Sequence, residues 1–175
     1  MSMSALRTVV MVLLAACSFP AVAAGAKSAA PAKACATPEY RQFDFWIGSW
    51  NVTDPRGHAA GTNDVTLEHD GCVLHEHWVG AKGGTGSSFN LYDAVSKHWH
   101  QTWVDDGGTL LELSGGFVDG RMVLQGPGQG SKGEPAVNRI IWEKLQDGRV
   151  RQTWTVSPDD GKSWAIAFDG FYTKK

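Results

Sequence analysis

The stretch KHWHQTWVDDGG, Lys97 to Gly108, alternates aromatic and polar side chains and ends in a turn signal. Its core returns in RVRQTWTVS, where Gln101-Thr102-Trp103 is repeated as Gln152-Thr153-Trp154. Alternation is the period of a β-strand, whose side chains point to opposite faces in turn. In RVRQTWTVS one face holds Arg149, Arg151, Thr153 and Thr155, and the other Val150, Gln152, Trp154 and Val156. The second face is the apolar one and points inward. The same parity puts Trp99, Gln101 and Trp103 inside, with His98, His100 and Thr102 outside. In CVLHEHWVG it turns Cys72, Leu74, Glu76 and Trp78 inward and His75 and His77 outward. Ile140 and Trp142 of RIIWEKL, and Trp164, Ile166, Phe168 and Tyr172 of SWAIAFDGFY, are expected inside as well.

Working outward, turn signals recur at regular spacing: Asp54-Pro55-Arg56-Gly57, then Asp-Gly at 70–71, 106–107, 119–120 and 147–148. Asp-Gly suits tight hairpins because Gly accepts positive φ and Asp tolerates it. Strands are predicted near 47–54, 59–69, 72–80, 86–93, 98–105, 109–118, 121–126, 137–145, 149–157 and 163–172. The Gly-rich stretch Gly126–Pro135 is expected as a loop with room to move, and a helical turn is expected only near Pro38–Phe45. About ten strands in a meander, joined by short connections, close most easily into an up-and-down antiparallel β-barrel with no exposed edge.

The N-terminus reads differently. MSMSALRTVVMVLLAACSFPAVAAGAK has Arg7, an apolar run and then small residues, the layout of a signal peptide over residues 1–24. The run is too short for a transmembrane helix, which needs roughly 20 residues. Ala21-Val22-Ala23 suits ordinary cleavage and a periplasmic or secreted product. Leu14-Ala15-Ala16-Cys17 resembles a lipobox, in which a lipidated Cys17 would anchor the chain to the outer membrane. Residues 25–36 read as an Ala/Pro/Lys linker before a domain spanning 37–175. After the signal only Cys35 and Cys72 remain, and two Cys in an oxidising compartment usually pair. The net charge of −2, with no block of like charge, excludes the basic footprint that nucleic acid or anionic membranes require.

The chemistry rests on a few polar residues among the tryptophans. His75/His77 and His98/His100 are HxH pairs, which place both imidazoles on one face, as some metal sites do. That face is the outer one, so they read as solvent-facing wall and no metal is assigned. Glu76, Gln101 and Gln152 project from the Trp-rich face, where an unpartnered carboxylate or amide costs several kcal/mol. They either satisfy one another and ordered water or line a wet pocket that takes a ligand. The candidate ligand-binding set is Glu76, Trp78, Trp99, Gln101, Trp103, Trp142, Gln152 and Trp154.

The segment Phe43-Asp44-Phe45-Trp46-Ile47-Gly48-Ser49-Trp50 resembles the opening of the lipocalin-like (calycin) barrels, marked by FD and then G-x-W on the first strand. With GC…EHW, YD…WHQTWVD, RQTW and FDGFY, residues 35–173 look like the exported bacterial lipocalin-like proteins of unknown function. The resemblance implies a barrel whose Trp50 plugs the closed end, and it implies no reaction. The late basic residue that packs on that Trp in the family has no counterpart here beyond Lys174 and Lys175. The related haem-binding barrels use a late axial His, whereas no His follows His100, so no cofactor is expected. Ser157-Pro158-Asp159-Asp160-Gly161-Lys162-Ser163-Trp164 matches the Asp-box of sialidases, which is a hairpin staple even there.

Three functions follow. The first is an exported barrel, monomeric or homodimeric, that binds a small, partly apolar molecule. The second is an enzyme with Glu76 as general acid/base, favoured by desolvation but lacking any nucleophile or triad motif. The third is a structural envelope protein. The balance leans to binding over catalysis.

Overall fold

The computed structural model describes residues 34–175. The signal segment, both cleavage readings and most of the linker fall on residues 1–33 and lie outside the described residues.

The chain forms ten antiparallel strands: β1 Gly48–Thr53, β2 Ala59–Glu68, β3 Val73–Gly80, β4 Thr85–Asp93, β5 His98–Asp105, β6 Leu110–Val118, β7 Arg121–Gln129, β8 Pro135–Lys144, β9 Val150–Ser157 and β10 Ala165–Lys174. Each pairs with its neighbours in sequence, and β1 pairs with β10, so the sheet closes on itself. Closure removes both edges and satisfies every ladder internally. The Asp119-Gly120 hairpin, with φ of 50° and 80°, joins Val118 to Arg121 as the two-residue turn its sequence dictates.

Two expectations need correction. Half of Gly126–Pro135 is strand: Gly126 pairs with Asn138, Pro127 with Val137, Gly128 with Ala136 and Gln129 with Pro135. The glycines reflect a close approach of chains, since a Cβ on Gly126 would lie 2.2 Å from the Glu112 carbonyl oxygen and one on Gly115 would lie 2.1 Å from that of Val123. Trp164 and Ile166 lie outside the barrel. The register of β10 against β9 shifts between Ile166 and Phe168, and the extra residue flips parity on its N-terminal side. Ile166 is thereby 66% exposed, while Trp164 stacks on the outer guanidinium of Arg139 at 3.9 Å. The Asp-box acts as the staple its pattern implies: Asp159 Oδ1 accepts from the Ser163 amide at 2.8 Å and Ser157 Oγ from the Gly161 amide at 2.7 Å.

One end of the barrel is filled by the lead-in. Pro38–Arg41 and Asp44–Trp46 form single 3₁₀ turns that carry Phe43 and Trp46, both fully buried, into the lumen. Phe43 stacks on Trp46 at 4.9 Å and meets Trp99 and Trp142 edge-on at 5.7 and 5.2 Å. The indole N–H of Trp99 donates to Gln42 Oε1 at 3.0 Å, and that of Trp50 to the Trp46 carbonyl at 2.9 Å. Lys174 is the last residue of β10. Its Nζ lies 5.0 Å from the Trp50 ring and donates to the Ile47 carbonyl at 3.1 Å. β10 runs two residues beyond its predicted end at 172, which brings Lys174 onto the strand.

The lead-in is tied down twice. Cys35 and Cys72 form a disulfide with Cα atoms 5.1 Å apart, a bond that suits an oxidising environment. The Arg41 guanidinium donates to the Gly71 carbonyl in the same β2–β3 connection. The bridge closes 37 residues of sequence separation. Replacing both Cys by Ser is expected to lower the unfolding free energy by on the order of 3–4 kcal/mol. Urea denaturation measures it, and an unchanged midpoint would show that the plug holds without the bond.

Candidate functional site

The inward side chains fall into tiers along the barrel axis. Next to the plug lie Val65, Leu74, Trp99, Met122, Trp142, Val150 and Tyr172, all fully or nearly fully buried. One inward step further comes a polar tier: Asn63 on β2, Glu76 on β3, Ser88 and Asn90 on β4, and Gln101 on β5. Above it, toward the open end, stand Trp78, Trp103, Trp154 and Phe168. The two-residue strand period sets this spacing, so Glu-x-Trp on β3 and Gln-x-Trp on β5 and β9 each contribute one polar and one aromatic group.

A chain of hydrogen bonds spans four strands, β2 to β5, and converges on Glu76. Gln101 Nε2 donates to Asn90 Oδ1 at 2.9 Å and to Ser88 Oγ at 3.4 Å. Asn90 Nδ2 donates to Ser88 Oγ at 2.8 Å. Ser88 Oγ donates to Glu76 Oε2 at 2.6 Å, and Asn63 Nδ2 donates to Glu76 Oε1 at 2.9 Å. On the far wall the Tyr172 hydroxyl donates to Gln152 Oε1. Burial pushes the Glu76 carboxyl up to about 7, against the opposing pull of Ser88 and Asn63. Burial also raises the Tyr172 phenol, with the Glu76 charge adding to the effect.

Above this network is a pocket of about 190 Å³ lined by Trp78, Trp103, Trp154, Phe168 and Tyr172 with Glu76, Gln101 and Gln152. Leu111, Ile140 and Ala167 complete its wall. It shares Leu111, Trp154 and Ala167 with an open cleft of about 980 Å³ at the barrel mouth, between the β5–β6, β7–β8 and β9–β10 connections. Six of the eight candidate residues therefore converge: Glu76, Trp78, Gln101, Trp103, Gln152 and Trp154. Trp99 and Trp142 do not, because they sit one tier lower and pack on Phe43. Strand parity fixes a face but not a height along the axis.

Sequence reasoning missed Asn63, Ser88 and Asn90. β4 is inverted: Ser88 and Asn90 are buried at 1% and 0% while Phe89 and Leu91 are 46% and 39% exposed. A hydrophobic-face rule picks the wrong side of such a strand. The signal that finds it is turn-to-turn parity, since Gly86, Ser88 and Asn90 pair with the inward Trp78, Glu76 and Leu74 of β3, and Ser88 and Asn90 with Trp103 and Gln101 of β5. The histidines of β3 lie outside, as parity requires. His75 Nδ1 is 3.0 Å from Glu68 Oε1 and its ring stacks on Phe89 at 4.4 Å, while His77 Nδ1 is 3.2 Å from Ser87 Oγ.

No family model matches the chain, and no curated protein matches it. The closed ten-stranded antiparallel barrel is consistent with a lipocalin-like fold.

The raised carboxyl has a consequence for stability. Folded Glu76 keeps its proton up to about pH 7, whereas the unfolded chain gives it up near 4.5. Its contribution is full below the unfolded value and is lost as pH rises through the folded one, by on the order of 3 kcal/mol. The stability difference between wild type and Glu76→Gln should therefore shrink or reverse between about pH 4.5 and about pH 7. Urea denaturation across that range measures it, and a pH-independent difference contradicts a buried, proton-holding Glu76.

Proposed function

We propose that the protein is an exported lipocalin-like barrel that binds a small, partly apolar molecule in the pocket above Glu76. The observation that carries this reading is the pocket itself, where five aromatic side chains surround three oriented polar ones. Apolar walls with a few convergent polar groups are the usual make-up of a small-molecule site. At about 190 Å³ the pocket lies below the about 300–1,000 Å³ of drug-sized sites, so its occupant is small or extends into the mouth. The disulfide supports export, together with a signal over residues 1–24 and a linker over 25–36 ahead of the barrel domain. A lipid anchor on Cys17 would place the same barrel at the outer membrane.

The orientation of the amides adds detail. Gln101 commits its amide nitrogen to Asn90 and Ser88, which leaves its carbonyl oxygen as an acceptor. Gln152 receives the Tyr172 hydroxyl on its carbonyl, which leaves its amide as a donor. Catalysis has less support. Glu76 is an acid poised near neutrality, but Tyr172 is the only other titratable group on the pocket wall.

Gln101→Leu would strand Asn90 and Ser88 inside the wall, so it is a poor probe of binding. Gln152→Leu combined with Tyr172→Phe removes both partners of one bond and is close to neutral for the fold. Trp78, Trp103 and Trp154 make intrinsic fluorescence the natural signal for a screen of small amphiphiles. The double variant should bind a hit more weakly by about 1–3 kcal/mol with its thermal midpoint nearly unchanged. The reading fails if no compound perturbs the fluorescence, or if filling the pocket with Leu111→Phe leaves every response intact.

A further inference from the structure

The walls of the pocket narrow the chemistry of its occupant. Its aromatic residues come from four strands: Trp78 on β3, Trp103 on β5, Trp154 on β9, and Phe168 and Tyr172 on β10. Glycines on the neighbouring strands hold the rings against the wall. A Cβ on Gly86 would lie 2.2, 2.4 and 3.0 Å from three consecutive carbons of the Trp103 ring. The Trp103 indole therefore packs directly over Gly86, in the space a side chain would fill. The Trp78 ring covers Gly61 in the same way, 2.7 Å from the place of a Cβ, and meets Phe168 edge-on at 5.8 Å. Ring faces carry the negative lobe of the aromatic quadrupole.

At the floor of this box is a carboxyl group with no cation of its own. Glu76 is 4% exposed, and its hydrogen bonds come from an amide and a hydroxyl. Among the described residues, no Lys, Arg or His lines the pocket. The groups facing Glu76 are Asn63 and Val65 from β2, Ser88 and Asn90 from β4, and Tyr172 from β10, of which only Tyr172 titrates. The nearby amide of Gln101 offers its carbonyl oxygen. The floor offers acceptors at Glu76 and Gln101, and the sides are aromatic.

We propose that the pocket takes the head of a small organic cation, an ammonium or methylated ammonium, held between the ring faces and the Glu76 carboxylate. The inference rests on the pocket being a binding site. Aromatic faces attract a desolvated cation, and an unpaired buried carboxylate is completed by one. An anion would be repelled by the ionised carboxyl, and a neutral ligand would gain nothing from its ionisation. The volume suits a head group of few heavy atoms, with a tail running into the open cleft. Binding favours the ionised carboxyl, so affinity rises as pH passes through about 7 and the bound complex releases a proton.

The test uses two probes of the same shape: choline, and neohexyl alcohol, in which a tert-butyl group replaces trimethylammonium. Titrations followed by Trp fluorescence and calorimetry at about pH 8 should show choline binding at least about tenfold tighter than the alcohol. Glu76→Gln should weaken choline by on the order of tenfold or more and leave the alcohol unchanged. The wild-type pH profile stands in for that variant should it not fold: choline affinity should climb toward about pH 7 and level off, with no slope for the alcohol. Equal binding of the two probes overturns the cation and leaves the pocket reading standing. A choline response indifferent to both Glu76→Gln and pH also overturns it. Silence of both probes overturns the cation too, and the pocket reading is then decided by the amphiphile screen and Leu111→Phe.

Discussion

The lumen of the barrel must be filled at one end, and that constraint organises the rest. Ten strands enclose more space than their own inward side chains fill at a single level. The chain meets the demand with a cluster from outside the sheet. Phe43 and Trp46 enter on two 3₁₀ turns and pack on Trp99, Trp142 and Tyr172. The fit depends on the entry angle of the lead-in. It is set by the disulfide to Cys72, by Arg41 on Gly71, and by the positive φ of 143° at Gly48, where a Cβ would come within 3.0 Å of Lys174 Nζ. Among the described residues nothing equivalent enters from the opposite end, and the upper lumen keeps its pocket.

The architecture was legible because it follows from local signals. Asp-Gly turns and period-two alternation locate all ten strands within a few residues, and short connections leave a meander little choice but to close. The convergence of Glu76, Gln101 and Gln152 followed from parity alone. Three things did not. Height along the axis is invisible to parity, so Trp99 and Trp142 were grouped with Trp103 and Trp154. The bulge at Ile166 inverts one half-strand without a mark in the alternation. The polar interior of β4 contradicts the assumption that the apolar face is the inner one.

That last failure is instructive about the site. Ser88 and Asn90 are inside because Glu76 is, on the adjacent strand, and Asn63 supports it from the other side. A buried acid needs donors from its neighbours, and the neighbouring strands must then sacrifice apolar surface to supply them. The outward display of Phe89 and Leu91 is the counterpart of that exchange. A wall whose only task was packing would place Phe89 inside and Ser88 outside. The arrangement on β4 is explained by the carboxyl group it serves, and so the polar tier has to be read as one unit.

The glycines complete the same logic one tier higher. Gly61 and Gly86 lie beside Trp78 and Trp103 on adjacent strands, at positions where any larger residue would collide with the indole. Alternating large and small residues around a barrel lets big rings lie flat against the wall. Rings standing away from the wall would meet at the axis and fill the lumen as a solid core. Rings held against the wall leave space between them, bounded by aromatic side chains above and by the Glu76 network below. Gly weakens a strand interior, and the barrel tolerates this at the two positions where a side chain would lift an indole off the wall and close the pocket.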